Sequence, residues 1–269
     1  MGVVFNNSRV ITSGKIGIFV GNIVQSIITS GVVLYYNPGN PSSYPGTGTT
    51  VTDLSGNSNT ATLSTTVSNL PTYNSSGWFN YAAVSSNNAY LNTIAATSIN
   101  NLSTMTVSIW VNFSTNTSLG HLLFYKSNNN STAGWFIEYS GNVGNSGLYG
   151  LDFSVVGPTN TRYAIAQNQI TVGVWTNITA TWNGVFPSGT IQFYINGVLN
   201  TSTPILNTAG AGTRTTDAAE NLTFGLIRTT GSTASAFIGD SGVMLIYNRV
   251  LTATEILQNF NATRAIYGI

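Results

Sequence analysis

The chain has no cysteine, and charge is scarce. Its 269 residues hold eight Lys and Arg, seven Asp and Glu and one His. Charged residues make up 6% of the sequence, against about 25% in an ordinary globular protein. Without cysteine there is no disulfide framework and no thiolate metal or redox centre. Eight scattered cations against seven acids form no basic patch, so a nucleic-acid partner is not expected. Disorder is excluded too, because it requires low hydrophobicity with high net charge, and here 42% of residues are hydrophobic with a net charge of +1. No basic region followed by an apolar run and a small-residue cleavage site opens the chain, so no leader is expected. The apolar stretch from Ile16 to Tyr36 is broken by Asn22, Gln25 and Ser26 and by Gly17, Gly21 and Gly31. It reads as strands rather than as a membrane span.

Ser, Thr, Asn and Gly take the place of charge. They are expected to solvate the surface through hydroxyls and amides, with little long-range field. Helical periodicity is nearly missing, and strand alternation is frequent. In Thr106–Phe113 the residues Val107, Ile109, Val111 and Phe113 share one face while Trp110 takes the other, so both faces of this strand are expected to be covered. Further strands are read at Trp135–Tyr139, Leu148–Val155, Trp175–Trp182, Ile191–Ile195 and Gly242–Tyr247. Asn196-Gly197 between apolar runs is a hairpin signal, because both residues tolerate positive φ. Short strands with closely spaced turn signals mean a sandwich or a barrel. A single helix is expected near the end, where Thr252 and Glu255 make a capping box ahead of Ile256, Leu257 and Phe260.

Residues 1–30 differ from the rest. They are apolar and β-branched, with Arg9 and Lys15 as their only charges. Such a segment aggregates if left bare, so it must be covered, by its own small domain or by a partner chain. The working division is an N-terminal β-rich docking arm over 1–30, with Phe5, Ile18, Phe19, Ile23 and Ile27 as docking residues, and a sandwich over 31–269. A charge-poor surface does not oppose self-association, so a homo-oligomer is expected.

Four stretches together resemble the concanavalin A-like lectin/glucanase superfamily in its laminin-G-like form. They are Thr52-Asp53-Leu54-Ser55-Gly56-Asn57; Val107–Val111 with its central Trp110; Trp175–Gly184 followed by Ile191–Gly197; and Gly239-Asp240 with Ile246–Ile256. The resemblance covers about residues 31–269 and implies an antiparallel β-sandwich or jelly roll with one short C-terminal helix. The strings Leu34–Gly46 and Gln258–Arg264, with the ending Tyr267-Gly268-Ile269, resemble concanavalin A-like structural proteins of tailed bacteriophages. That resemblance implies a non-enzymatic virion surface protein, a head decoration or fibre subunit, trimeric and in contact with capsid or other virion proteins. The alternative is a lectin-like adhesion module that binds host-surface polysaccharide. A glycan-degrading enzyme is a third reading.

Laminin-G-like relatives also imply calcium as the one candidate cofactor, with Asp53, Asn57 and Asp240 as candidate ligands. Val243 stands where an acidic ligand is usual in the family, and Asp53 also fits an Asx-turn. Retaining glycosidases need two carboxylates about 5–5.5 Å apart. Among Asp53, Glu138, Asp152, Asp217, Glu220, Asp240 and Glu255, no two stand two or four positions apart on one strand, so no catalysis is expected. His121 has no Gly-x-Ser-x-Gly elbow to partner it and reads as a strand-edge residue. For sugar stacking the candidates are Trp78, Phe79, Tyr81, Tyr149, Tyr163 and Phe186, all near loops.

Overall fold

The computed structural model describes residues 25–64, 70–81, 90–115, 121–128, 132–140, 150–166, 170–186, 190–225 and 237–269. In chain order the strands are β1 (Val32–Tyr36), β2 (Thr50–Val51), β3 (Ala61–Leu63), β4 (Thr72–Asn74), β5 (Trp78–Tyr81), β6 (Leu91–Thr93), β7 (Met105–Phe113), β8 (His121–Lys126), β9 (Trp135–Ser140), β10 (Gly150–Val155), β11 (Thr161–Ala166), β12 (Thr176–Trp182), β13 (Ile191–Ile195), β14 (Val198–Leu199), β15 (Leu206–Thr208), β16 (Leu222–Phe224) and β17 (Gly239–Tyr247). Helix α1 (Ala253–Thr263) follows.

The strands form two antiparallel sheets. Sheet A runs β14-β13-β12-β7-β17-β5-β4, with β1 also paired to β17. Sheet B runs β15-β11-β10-β9-β8-β16-β6-β3-β2. Strand β17 is shared along one flank: β5 pairs with Gly239–Ser241 and β1 with Val32–Tyr36 against Met244–Tyr247. Between these stretches the register against β7 shifts, which marks a bulge at Gly242 and Val243.

Alternation decides which side chains meet. Val107, Ile109, Val111 and Phe113 of β7 and Ile178, Ala180 and Trp182 of β12 face inward, against Trp135, Ile137, Tyr139, Leu151, Phe153 and Val155 of sheet B. Full burial of one such aliphatic or aromatic side chain is worth about 1.5–3 kcal/mol. The Asn-Gly hairpin forms as expected: Asn196 (φ 52°) and Gly197 (φ 79°) join β13 to β14 through the pair Ile195–Val198.

Part of the outward face of sheet A is also covered. Trp110, Val243, Leu245 and Tyr247 pack beneath Ile256 and Phe260 of α1 and Tyr267 beyond it. The capping box is present, with Thr252 accepting from Glu255 N and Glu255 accepting from Thr252 N. Arg249 pairs with both Glu255 oxygens at 2.6 and 3.0 Å. That ion pair, with the cap, lowers the Glu255 pKa to about 2. The abundant Ser, Thr and Asn do more than solvate the surface. On this face Ser108, Asn177 and Thr179 are buried and satisfy one another, with Thr179 Oγ1 and Ser108 Oγ 2.8 Å apart.

Of the docking residues expected in the first segment, Phe5, Ile18, Phe19 and Ile23 lie outside the described residues. Ile27 packs, half-buried, against the cluster under α1. Residues 25–30 are tied to the sandwich. Ile28 N donates to Asn259 Oδ1 (2.8 Å), Tyr247 Oη donates to Ile28 O (2.9 Å) and Arg249 Nε donates to Ser30 O (3.0 Å).

Candidate functional site

Three neighbouring strands place a polar row on the outward face of sheet A. In β5 the order Trp-Phe-Asn-Tyr sends Phe79 and Tyr81 into the core and leaves Trp78 and Asn80 outside. The register sets Asn80 opposite Asp240 and Asp240 opposite Asn112. Asn80 Nδ2 donates to Asp240 Oδ1 at 2.7 Å, and Asn112 Nδ2 donates to Oδ2 at 3.3 Å. The carboxylate can only accept, so it dictates how both amides point. Asn112 Oδ1 is left buried with no hydrogen-bond partner.

An aromatic group borders this row. Trp175 continues it beside Asn112, because Thr176 pairs with Val111. Trp175 meets Trp78 edge-on at 5.3 Å and Tyr267 at 4.4 Å. Tyr267 stacks in turn on Trp110 at 4.4 Å. Its position depends on the β17 bulge. Val243 N donates to Tyr267 Oη at 2.7 Å, and a Cβ on Gly242 would lie 1.9 Å from that oxygen, so only glycine fits. Both Trp78 and Trp175 stay half-buried, with part of their surface open to solvent. Aromatic surface beside a few oriented amide and carboxylate groups is the chemistry of a small polar ligand with apolar faces, such as a sugar ring.

Asp53, Asn57 and Asp240, the expected calcium ligands, each make hydrogen bonds of their own. Asp53 sits in the turn before β3, and four donors converge on it. Tyr35 N and Ser55 N reach Oδ1, both at 2.9 Å; Ser55 Oγ (2.7 Å) and Asn59 N (3.0 Å) reach Oδ2. Asn57 Nδ2 donates to Val32 O at 3.2 Å. Asp240 belongs to the outward row and shares none of these partners. Calcium needs six to eight oxygens, whereas these carboxylates are already engaged by N–H and O–H donors. Among the described residues, no three of the His, Asp and Glu side chains are grouped to hold a metal.

His121 is fully buried. Its Nδ1 accepts from Ile238 N (3.2 Å) and its Nε2 faces Thr115 O (3.1 Å), which suits the neutral ring with the proton on Nε2. It packs against Phe113, Tyr139 and Phe237 as a core residue. Of the aromatic candidates, Trp78 is at the site. Phe79 and Tyr81 are core, and Tyr163 and Phe186 pack against the core from its margin. Tyr149 lies outside the described residues.

Spacing along one strand missed a carboxylate pair. Register places Asp152 of β10 directly opposite Glu138 of β9, fourteen positions apart in sequence. Asp152 is fully buried and paired with Arg162. Burial raises its pKa, and the Arg162 guanidinium opposes that rise. A carboxylate sealed from solvent and held by an arginine cannot meet a glycosidic bond, so this pair does not constitute a hydrolase centre. Sequence reasoning also missed Asn80, Asn112 and Trp175. Alternation carried a partial signal, since Asn112 shares the face of Trp110.

A family model described as the concanavalin A-like lectin/glucanases superfamily matches residues 85–257. Among solved structures, the binding domain of Paraclostridial Mosquitocidal Protein 1 is similar at 19% identity and TM-score 0.59, over 87% of this chain and 52% of that one. The binding domain of botulinum neurotoxin DC, solved with rat synaptotagmin II, matches at 16% identity, TM-score 0.59 and the same coverage. So does botulinum neurotoxin type C, whose way into cells is dependent upon interaction with two ganglioside molecules. The chain spans about half the length of these structures, and the likeness shows the sandwich fold. The resemblance to bacteriophage proteins is not shown by these comparisons. No curated protein matches the chain at a significant level.

Proposed function

Because this chain belongs to the concanavalin A-like lectin/glucanases superfamily, we propose that it is a non-enzymatic, lectin-like module that binds carbohydrate on the outward face of sheet A. The observation that carries the reading is the row Asn80–Asp240–Asn112 beside Trp78 and Trp175. Sugar C–H faces rest on the indoles while ring hydroxyls reach the amides and the carboxylate. The similar solved structures are themselves binding domains, which supports a binding role over an enzymatic one.

The test is titration of the purified chain with a panel of oligosaccharides by calorimetry. Trp175→Ala is expected to weaken the best ligand about tenfold or more, the loss of roughly 1.4 kcal/mol. Asn80→Ala should act in the same direction, and both variants should keep a cooperative melt. Absence of any glycan binding at millimolar concentration, or binding untouched by both substitutions, would defeat the reading.

The finer placement we propose is display on a virion surface as a homo-oligomer, a trimer, anchored through the N-terminal segment. Its support is the charge-poor composition, with 6% charged residues, and the course of residues 25–30 along α1. Because residues 25–30 are bonded to the sandwich, the informative deletion is 1–24. The shortened chain is expected to melt cooperatively and to scatter light as a monomer, whereas the full chain scatters as a trimer. A full chain that is monomeric at micromolar concentration, or a shortened chain that still assembles, would count against the anchor.

A further inference from the structure

Resting on the carbohydrate reading of this face, we infer that its ligand is an uncharged, hydroxyl-rich glycan and that Asp240 excludes uronate, sialate and sulfated sugars. The argument is an inventory of donors and acceptors. Asn80 and Asn112 each turn one Nδ2 N–H onto Asp240. At the centre of the row the half-buried Asp240 carboxylate keeps lone pairs to offer and has no proton to give, whereas Asn112 Oδ1 is buried out of a ligand's reach. A ligand group that meets Asp240 must therefore bring a donor. Neutral sugars do so with every hydroxyl. A carboxylate or sulfate brings acceptors only, and sets a second negative charge against Asp240.

Among the described residues, no cation is paired with Asp240. Arg162 is held by Asp152, Arg214 by Asp217 and Arg249 by Glu255. Lys126 is enclosed by oxygens of Asn100, Asp217 and Glu220, and Arg264 lies over the Phe260 ring. The aromatic half of the site is indifferent to charge sign toward an anion's C–H faces, so discrimination falls to Asp240.

A matched pair of probes isolates the effect: an α-1,4-linked galacturonan oligosaccharide and its carboxyl-reduced form, the neutral α-1,4-linked galactan of the same length, which differ at carbon 6. Calorimetry on the wild-type chain is expected to show the neutral ligand bound at least tenfold tighter, with affinity unchanged between low and high salt because no ion pair is formed. In Asp240→Asn the neutral ligand should weaken about tenfold, as hydrogen bonds to a charged acceptor are lost, and the preference over the uronate should collapse. If the uronate binds the wild type as well as the neutral sugar, and Trp175→Ala abolishes it, the site stands and the inference is wrong. Tighter binding of protonated glucosamine oligomers than of the neutral ligand also overturns it. If neither galactan, uronate nor any other glycan binds, the carbohydrate reading itself has failed. The wild-type comparison decides the inference even if Asp240→Asn does not fold.

Discussion

Replacing Trp110 by alanine is expected to destabilise the chain by about 3–5 kcal/mol, the range for removing a fully buried aromatic. For a domain of this size that lowers the melting temperature by roughly 10 °C. Trp110 is completely buried between sheet A and the C-terminal segment. It stacks on Phe260 of α1 at 5.5 Å and on Tyr267 at 4.4 Å, and its Nε1 donates to Thr263 Oγ1 at 2.8 Å. One side chain therefore fastens both the helix and the segment after it. Trp110→Phe keeps most of the stacking and loses the hydrogen bond, so it should cost about 1 kcal/mol. Urea denaturation of both variants measures the difference. Equal, small losses would show that α1 is held elsewhere. Trp110→Ala should also weaken glycan binding, because Tyr267 supports Trp175 at 4.4 Å.

The second large effect is expected at Asp217, in the loop that closes one end of the sandwich. Its side chain is fully buried and accepts from Arg214 Nη2 at 2.8 Å and Asn101 N at 2.5 Å. Arg214 also donates to Leu102 O at 2.7 Å and lies over Trp182 at 5.2 Å. Burial lowers the Arg214 pKa, and Asp217 works against that shift. The Asp217 backbone carbonyl also receives Lys126 Nζ. Asp217→Asn keeps the shape and leaves a buried guanidinium without its counter-charge, a loss of about 3–5 kcal/mol. Arg214→Met combined with Asp217→Asn should recover about 2 kcal/mol or more of it, since replacing both members of a buried pair is far milder than breaking it. A double-mutant cycle in urea reads this directly. Additive single effects would show that the two residues do not act as a pair.

Much of the fold could be read from short-range patterns. The alternation in β7 assigned Val107, Ile109, Val111 and Phe113 to the core and set Trp110 apart for a second covering, and both faces are buried. Asn196-Gly197 and the Thr252–Glu255 cap formed where their local chemistry placed them. These signals work because φ preferences and side-chain period belong to a few consecutive residues. The site was far less legible. Trp78 was visible as an aromatic near a turn, but Phe79 and Tyr81 looked equivalent to it until the pleat sent them inward. Glu138 and Asp152 share no pattern along either strand, because neighbours in a sheet are chosen by register.

The sequence by itself determined an all-β sandwich, its capped C-terminal helix, the absence of thiol chemistry and a nearly neutral surface. Composition and local patterns give the strands, the cap and the neutral surface and leave a sandwich or a barrel; the resemblance to the concanavalin A-like superfamily decides for the sandwich. Only the tertiary structure decided that Asn80, Asp240 and Asn112 form one row, and that Tyr267 fills the notch over Gly242 to support Trp175. It also decided that Asp53 reaches beyond its own turn to Tyr35 N of β1, and that residues 25–30 belong with the sandwich. The physical reason is common to all four. They depend on which distant strand is hydrogen-bonded to which, and at what offset, and a bulge at Gly242 and Val243 changes that offset without leaving a local mark in the chain.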